Sequence, residues 1–203
     1  MARPRNTDPA QTRARILSAA TAAFAESGAA GTSTRTIAAA AGVSLATLHH
    51  HFGTKDALYQ ACVEAMYAEF AQLREVVLAA AGDTSEAWVI DVIQRIWRFA
   101  LRHRTAVRLT TLDAVAKGIP PQQQAVLGTA LQAGAQVLAP MTSLSTPELR
   151  LTLRSLSWLL IRYVLADEAE LALIIGEPGL SGPALQDRVG AHLGRMAVMA
   201  VCR

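Results

Sequence analysis

Residues 32–58 read TSTRTIAAAAGVSLATLHHHFGTKDAL, two short helices hinged at one glycine. Ser33, or Thr32 beside it, can cap a helix that places Ile37, Ala38 and Ala41 on one face. Gly42 then supplies the positive φ needed to leave that helix. Ser44 caps the second helix, and Val43 before it can staple onto Leu48, which fixes the entry angle of the chain. Turning about 100° per residue from Leu48 sets Leu45 and Phe52 beside it and Ala46, Thr47, His49 and His50 on the far side. Two crossed helices of this kind form a helix-turn-helix. A second helix that buries Leu48 and Phe52 while presenting small and polar residues at its N-terminal end fits the geometry by which recognition helices enter a major groove.

Outward from this stretch, Asp8 followed by Pro9 predicts a helix start, with Ile16, Ala20 and Phe24 forming its buried stripe and Gly28 its end. On the other side, Thr54 caps a longer helix through Leu58, Cys62, Met66, Phe70, Leu73 and Val77, ending near Gly82. Further helices are expected over about 85–102, 105–117, 120–138, 147–166 and 185–201, with an extra turn near 167–175. Breaks fall at Gly82-Asp83, Gly118-Ile119-Pro120, Ser145-Thr146-Pro147 and the GEPGLSGP of 176–183. No segment sustains strand alternation. The expected fold is all-α: a three-helix head at the N-terminus and a larger helical bundle as the body. The divisions fall at a flexible basic arm over 1–8, a helix-turn-helix unit over 9–55 and the body over 56–203.

The pattern Thr32-Ser33, Ile37-Ala38, Ala41-Gly42-Val43-Ser44, Thr47-Leu48, His51-Phe52, Lys55 and Leu58, preceded by Ile16-Leu17, Ala20, Phe24 and Gly28, resembles the N-terminal domain of the TetR family of transcriptional regulators. The resemblance covers roughly residues 10–62. It implies that His51 and Lys55 hold DNA phosphate, that Thr47 and His50 approach base edges or backbone, and that Ser33 and Thr34 meet phosphate at their helix start. Ser44, Leu45, Ala46 and His49 complete the expected DNA-binding set. Two positions depart from the family's pattern. Leu45 stands where a basic or polar residue is usual, and His49 where a tyrosine reaches a phosphate. The resemblance further implies a homodimer on a palindromic double-stranded operator, most simply a repressor released by a small-molecule effector held in the body. An activator, an effector-independent dimer and a helical interaction protein that no longer reads DNA stand as alternatives.

Composition agrees with a globular chain, at 52% hydrophobic and 17% charged residues over 203 positions. The net charge of +3 is unevenly spread: residues 1–55 carry +4 and the remainder −1, so the positive charge sits on the expected DNA-binding end. The first residues, with Arg3 and Arg5 among Pro and Asn, have no apolar core of a signal peptide. No apolar run reaches membrane-spanning length, which together with two distant cysteines, Cys62 and Cys202, predicts a cytoplasmic protein with two buried thiols.

Catalytic motifs are not found. Gly42-Val43-Ser44-Leu45-Ala46 falls one residue short of a nucleophile elbow and follows a helix where that motif needs a strand. His49, His50 and His51 are adjacent on a helix and diverge by about 100° each, so one ion cannot gather them. No metal or cofactor is expected, and no enzyme activity. In the body, Trp97, Trp158 and Arg162 are the candidate effector-binding residues, an apolar pair with a polar anchor. Leu193, Met196, Ala197 and Ala200 repeat at helical spacing near the C-terminus and are the candidate dimer interface; an intramolecular core stripe has the same pattern.

Overall fold

A computed structural model describes residues 8–79 and 85–202. Ten α-helices and one short 3₁₀ turn, Ala139–Met141, make up the described residues, and no strand occurs among them. The expected arm over 1–8 lies almost wholly outside the described residues, as does the break at Gly82-Asp83.

Helix α1, Pro9–Gly31, starts where Asp8 accepts a hydrogen bond from the Ala10 N–H at 2.9 Å, with proline at the first helical position. The helix breaks at Gly28, whose φ of 69° no side-chain-bearing residue adopts cheaply, and then makes one more turn to Gly31. The buried Thr32 hydroxyl secures this end against the Gly28 carbonyl at 2.8 Å and the Ala23 carbonyl at 3.0 Å. Helices α2, Thr34–Ala40, and α3, Leu45–Phe52, follow, then α4, Lys55–Ala79. Ile16, Ala20, Phe24, Ile37, Leu48 and Leu58 are wholly buried in one cluster with Phe52, and the Phe24 ring meets Tyr59 edge-on at 5.3 Å. That cluster continues along α4 to Cys62 and Val63 and takes in Leu109 from α6, Arg104–Lys117.

The body is built on α5, Glu86–Arg102, packed along α10, Gly182–Val201. Small residues bring the two axes together: Gly190 lies under the Trp97 ring and Gly194 against Ile90. The Trp97 indole N–H donates to the Gln186 carbonyl at 2.9 Å, so its one polar atom is satisfied inside the contact. Helix α8, Thr146–Leu165, begins with Glu148 accepting from the Ser145 N–H at 2.8 Å and covers this pair, while α7, Pro121–Leu138, packs on α8. Helix α9, Glu168–Ile175, is the extra turn expected near 167–175, capped by Asp167 and ended by Gly176 at a φ of 80°. Helix α10 begins three residues earlier than its apolar stripe indicates, because Pro183 occupies the first turn after Ser181.

Both cysteines are free; Cys62 is buried, Cys202 half-buried, and burial raises both thiols above the ordinary range. No described helix is long and apolar enough to cross a membrane.

The α5–α10 contact generates a stability test. A Cβ on Gly190 would sit 2.8 Å from the Trp97 ring, whereas one on Gly128, a helical residue of α7, meets nothing within 4 Å. Gly190→Ala is expected to cost about 1–3 kcal/mol in chemical denaturation, and Gly128→Ala to be neutral or stabilising by up to about 1 kcal/mol. Equal effects from the two would show that the close approach at Trp97 does not limit packing.

Candidate nucleic-acid interface and ligand cavity

The turn between α2 and α3 is made by the residues the sequence pointed to. Ser33 caps α2 by accepting from the Thr36 N–H at 3.1 Å, and Gly42 leaves it at a φ of 64°. Ser44 caps α3 by accepting from the Thr47 N–H at 3.0 Å, and its hydroxyl is also 2.8 Å from the Thr47 hydroxyl. With Leu48 and Phe52 buried, the outward surface of α3 consists of exposed Ala46, His49 and His50 and half-buried Leu45, Thr47 and His51. Arg13 of α1 lies over the Phe52 ring at 5.1 Å and fixes the C-terminal end of α3. His51 leans on Phe52 at 6.2 Å and on His50 at 5.6 Å. No group of three metal-ligating side chains occurs among the described residues.

A second part of this surface is a shallow hollow where Thr32, Ser33 and Thr34 at the start of α2 meet His49 and Lys55. Lys55 donates to the Thr32 carbonyl at 3.2 Å, which ties the start of α4 to the start of α2. An ammonium has three N–H groups, so two remain for a ligand in the hollow. His49 has a more restrictive geometry. Its Nδ1 lies 2.6 Å from the Gly53 carbonyl oxygen. A carbonyl only accepts, so Nδ1 carries the proton and Nε2 of a neutral ring is an acceptor. An anion facing Nε2 therefore requires the imidazolium. The structure thus gathers Ser33, Thr34, His49 and Lys55 at one hollow and Ala46, Thr47 and His50 on the adjoining face of α3, with Ser44 engaged as the cap between them.

In the body, a cavity of about 350 Å³ opens among α4 to α8. Its wall is mostly hydrocarbon: Phe70, Ile93, Leu127 and Ile161 are typical of it. The three candidate effector residues do not converge there. Trp158 lines the cavity and is 39% exposed. Trp97 is only 3% exposed, lies against Gly190 and is not among the cavity-lining residues. Arg162 points outward to an ion pair with Glu170 of α9. Other polar groups on the wall, outside the three candidates, include Tyr67, Arg74, Trp88 and Arg154. Arg154 had a signal, since it precedes Trp158 by four residues on one helix and its guanidinium stacks 4.7 Å from the Trp158 ring.

The candidate dimer stripe also divides. Leu193 and Ala197 are 2% and 1% exposed and belong to the chain's own core, so for these two the intramolecular alternative holds. Met196 and Ala200 are half-buried and leave part of their surface accessible.

Residues 16–62 match the family model described as bacterial regulatory proteins, tetR family. The match covers the head, α1 to the first turns of α4, and stops short of the body. Over the whole chain the architecture is TetR-like. It is similar to a TetR-like transcriptional regulator from Rhodococcus sp. RHA1, at 22% identity and a TM-score of 0.65 over 97% of this chain and 96% of that one. It is also similar to a transcriptional regulator of the TerR/AcrR family from Aquifex aeolicus VF5, at 16% identity and a TM-score of 0.66, covering 91% of this chain and 99% of that one. The multidrug binding protein EbrR complexed with malachite green aligns at 20% identity and a TM-score of 0.56, covering 91% and 96% of the two chains. Comparison with the curated proteins finds no match.

The hollow generates a binding test. His49→Phe removes the imidazole that lines it beside Lys55 and is expected to weaken binding to double-stranded DNA; unchanged affinity would remove His49 from the interface.

Proposed function

We propose that this chain is a homodimeric transcription regulator, a repressor that binds a palindromic operator through residues 33–55 and releases it when a small molecule fills the body cavity. The observation that supports it most directly is the presentation of α3. Leu48 and Phe52 lock one face into the head core while Ala46, Thr47 and His50 stand outward beside a hollow lined by Ser33, Thr34, His49 and Lys55. In this reading Thr47 and His50 meet base edges, Leu45 and Ala46 pack on thymine methyls, and Lys55, His51, Ser33 and Thr34 hold backbone phosphate.

Two heads are needed to read a two-fold site, with recognition helices about one turn of DNA, roughly 34–36 Å, or a multiple apart. The outward faces of α8 and α10 supply the dimer contact in this proposal, through Met196 and Ala200 with the exposed Leu151 and Met199, since Leu193 and Ala197 are already used within the chain. The coupling runs through two helices that belong to both regions. On α4, Leu58, Tyr59, Cys62 and Val63 sit in the head core and Met66, Tyr67, Phe70 and Leu73 on the cavity wall. On α6, Leu109 sits in the head core and Val107, Thr110, Thr111 and Ala114 on the cavity wall. An occupant that favours one arrangement of these helices shifts the spacing of the two heads, and weakens DNA binding only by its differential affinity for that arrangement. The protein acts in the cytoplasm, on DNA, and not as an enzyme.

Repeated selection of bound fragments from a random double-stranded pool tests the proposal. The expected result is enrichment of an inverted repeat. Thr47→Ala and His50→Ala should relax the enriched sequence, while Lys55→Ala weakens all binding alike and lowers the salt slope by about one unit. Absence of any enriched sequence would overturn the operator reading.

A further inference from the structure

The cavity in the body is walled mostly by hydrocarbon, yet it holds a cation with no counter-charge among the described residues. Its volume, about 350 Å³, falls within the roughly 300–1,000 Å³ span of small-molecule sites. Two arginines and no carboxylate are found among its described lining residues. Arg74 is tied to Glu75 at 2.6 Å. Arg154 has no ion pair or hydrogen bond with any described residue; its guanidinium rests on the Trp158 ring, and desolvation lowers its pKa from the usual arginine value. Arg154 is half-buried, so its charge is only partly hydrated, and a complementary ion would offset that partial loss.

The other polar groups of the wall are largely engaged within the protein. The Tyr67 hydroxyl donates to Gln123 Oε1 at 3.2 Å, Thr110 to the Ala106 carbonyl at 3.1 Å and Ser157 to the Leu153 carbonyl at 2.7 Å. The Trp88 indole N–H is buried and has no partner among the described residues. Arg154 and Trp88 are thus both donors in want of an acceptor, and one of them is a fixed cation. We propose that the cavity takes a monoanionic amphiphile, a carboxylate on a hydrocarbon or aromatic body, with its carboxylate paired to Arg154. This rests on the reading of the cavity as the effector site and adds the chemistry of the effector. A planar guanidinium fork matches a carboxylate in two parallel hydrogen bonds. One unpaired arginine neutralises one charge, so a phosphate dianion would carry an uncompensated negative charge into an apolar space.

The test is a binding titration of the wild-type protein, read by the intrinsic fluorescence of Trp88 and Trp158. The probes are decanoate and naphthylacetate, each with its methyl ester, and decyltrimethylammonium. At least one acid is expected to bind saturably, with its ester roughly ten- to hundredfold weaker. In Arg154→Met, shown to be folded by its circular-dichroism melt, acid and ester should bind alike; in Arg154→Lys the preference for the acid should persist in reduced form. Esters or the ammonium binding as well as the acids, or an undiminished acid preference in Arg154→Met, would overturn the anion proposal and leave the ligand cavity standing. No saturable binding by any of the five probes would overturn both.

Discussion

Helix α4 belongs to two cores at once, and the rest of the molecule depends on that sharing. Its first three turns are fixed by burial of Leu58, Tyr59, Cys62 and Val63 against α1, and the next two by the cavity wall at Met66, Tyr67, Phe70 and Leu73. Each fully buried large apolar side chain contributes on the order of 1.5–3 kcal/mol, so neither half can move without disturbing several such contacts. Leu109 repeats the arrangement from α6, which also packs on α1. The head is therefore seated on the body through side chains buried in the head's own core. A change in cavity packing has a direct mechanical route to α1, and from α1 through Ile16, Ala20 and Phe24 to the helices that present Thr47 and His50.

The head was legible because its determinants are local. A cap at Ser33, a positive-φ glycine at position 42 and a cap at Ser44 lie within a dozen residues, and each constrains backbone dihedrals whatever surrounds it. The expected boundary at 55/56 follows a helix start, but the buried cluster runs past it to Val63 and Leu109, which only long-range packing reveals. The body illustrates the same limit. Arg154 and Arg162 flank Trp158 at equal spacing on α8, and the sequence offers no reason to prefer either until α9 is folded back. Glu170 then draws Arg162 outward, and Arg154 is left in the cavity. Trp97 and Trp158 likewise look equivalent in sequence, yet Gly190 makes room for one in the core and the other stays half-exposed. The stripe through Leu193 and Ala197 has the same ambiguity, resolved toward the chain's own core by the close approach of α5.

Electrostatics divides the molecule in a complementary way. The head presents donors on an open, solvated surface: hydroxyls, an ammonium and imidazoles around α2 and α3. Such groups suit a polyanion, whose binding draws much of its strength from release of counterions. The body sets the half-buried guanidinium of Arg154 against a cavity wall that is mostly hydrocarbon, where a charge is less screened by salt than on the open surface.

The central claim is that the head binds DNA and reads its sequence. Its most direct test is a salt titration of the purified protein's affinity for the DNA upstream of its own gene, beside random DNA of equal length. Tight binding to the upstream DNA is expected, roughly 10³-fold or more above random DNA, with log K falling linearly in log salt by about 0.9 per phosphate contacted. Weak, equal binding to both with a shallow salt slope would contradict it.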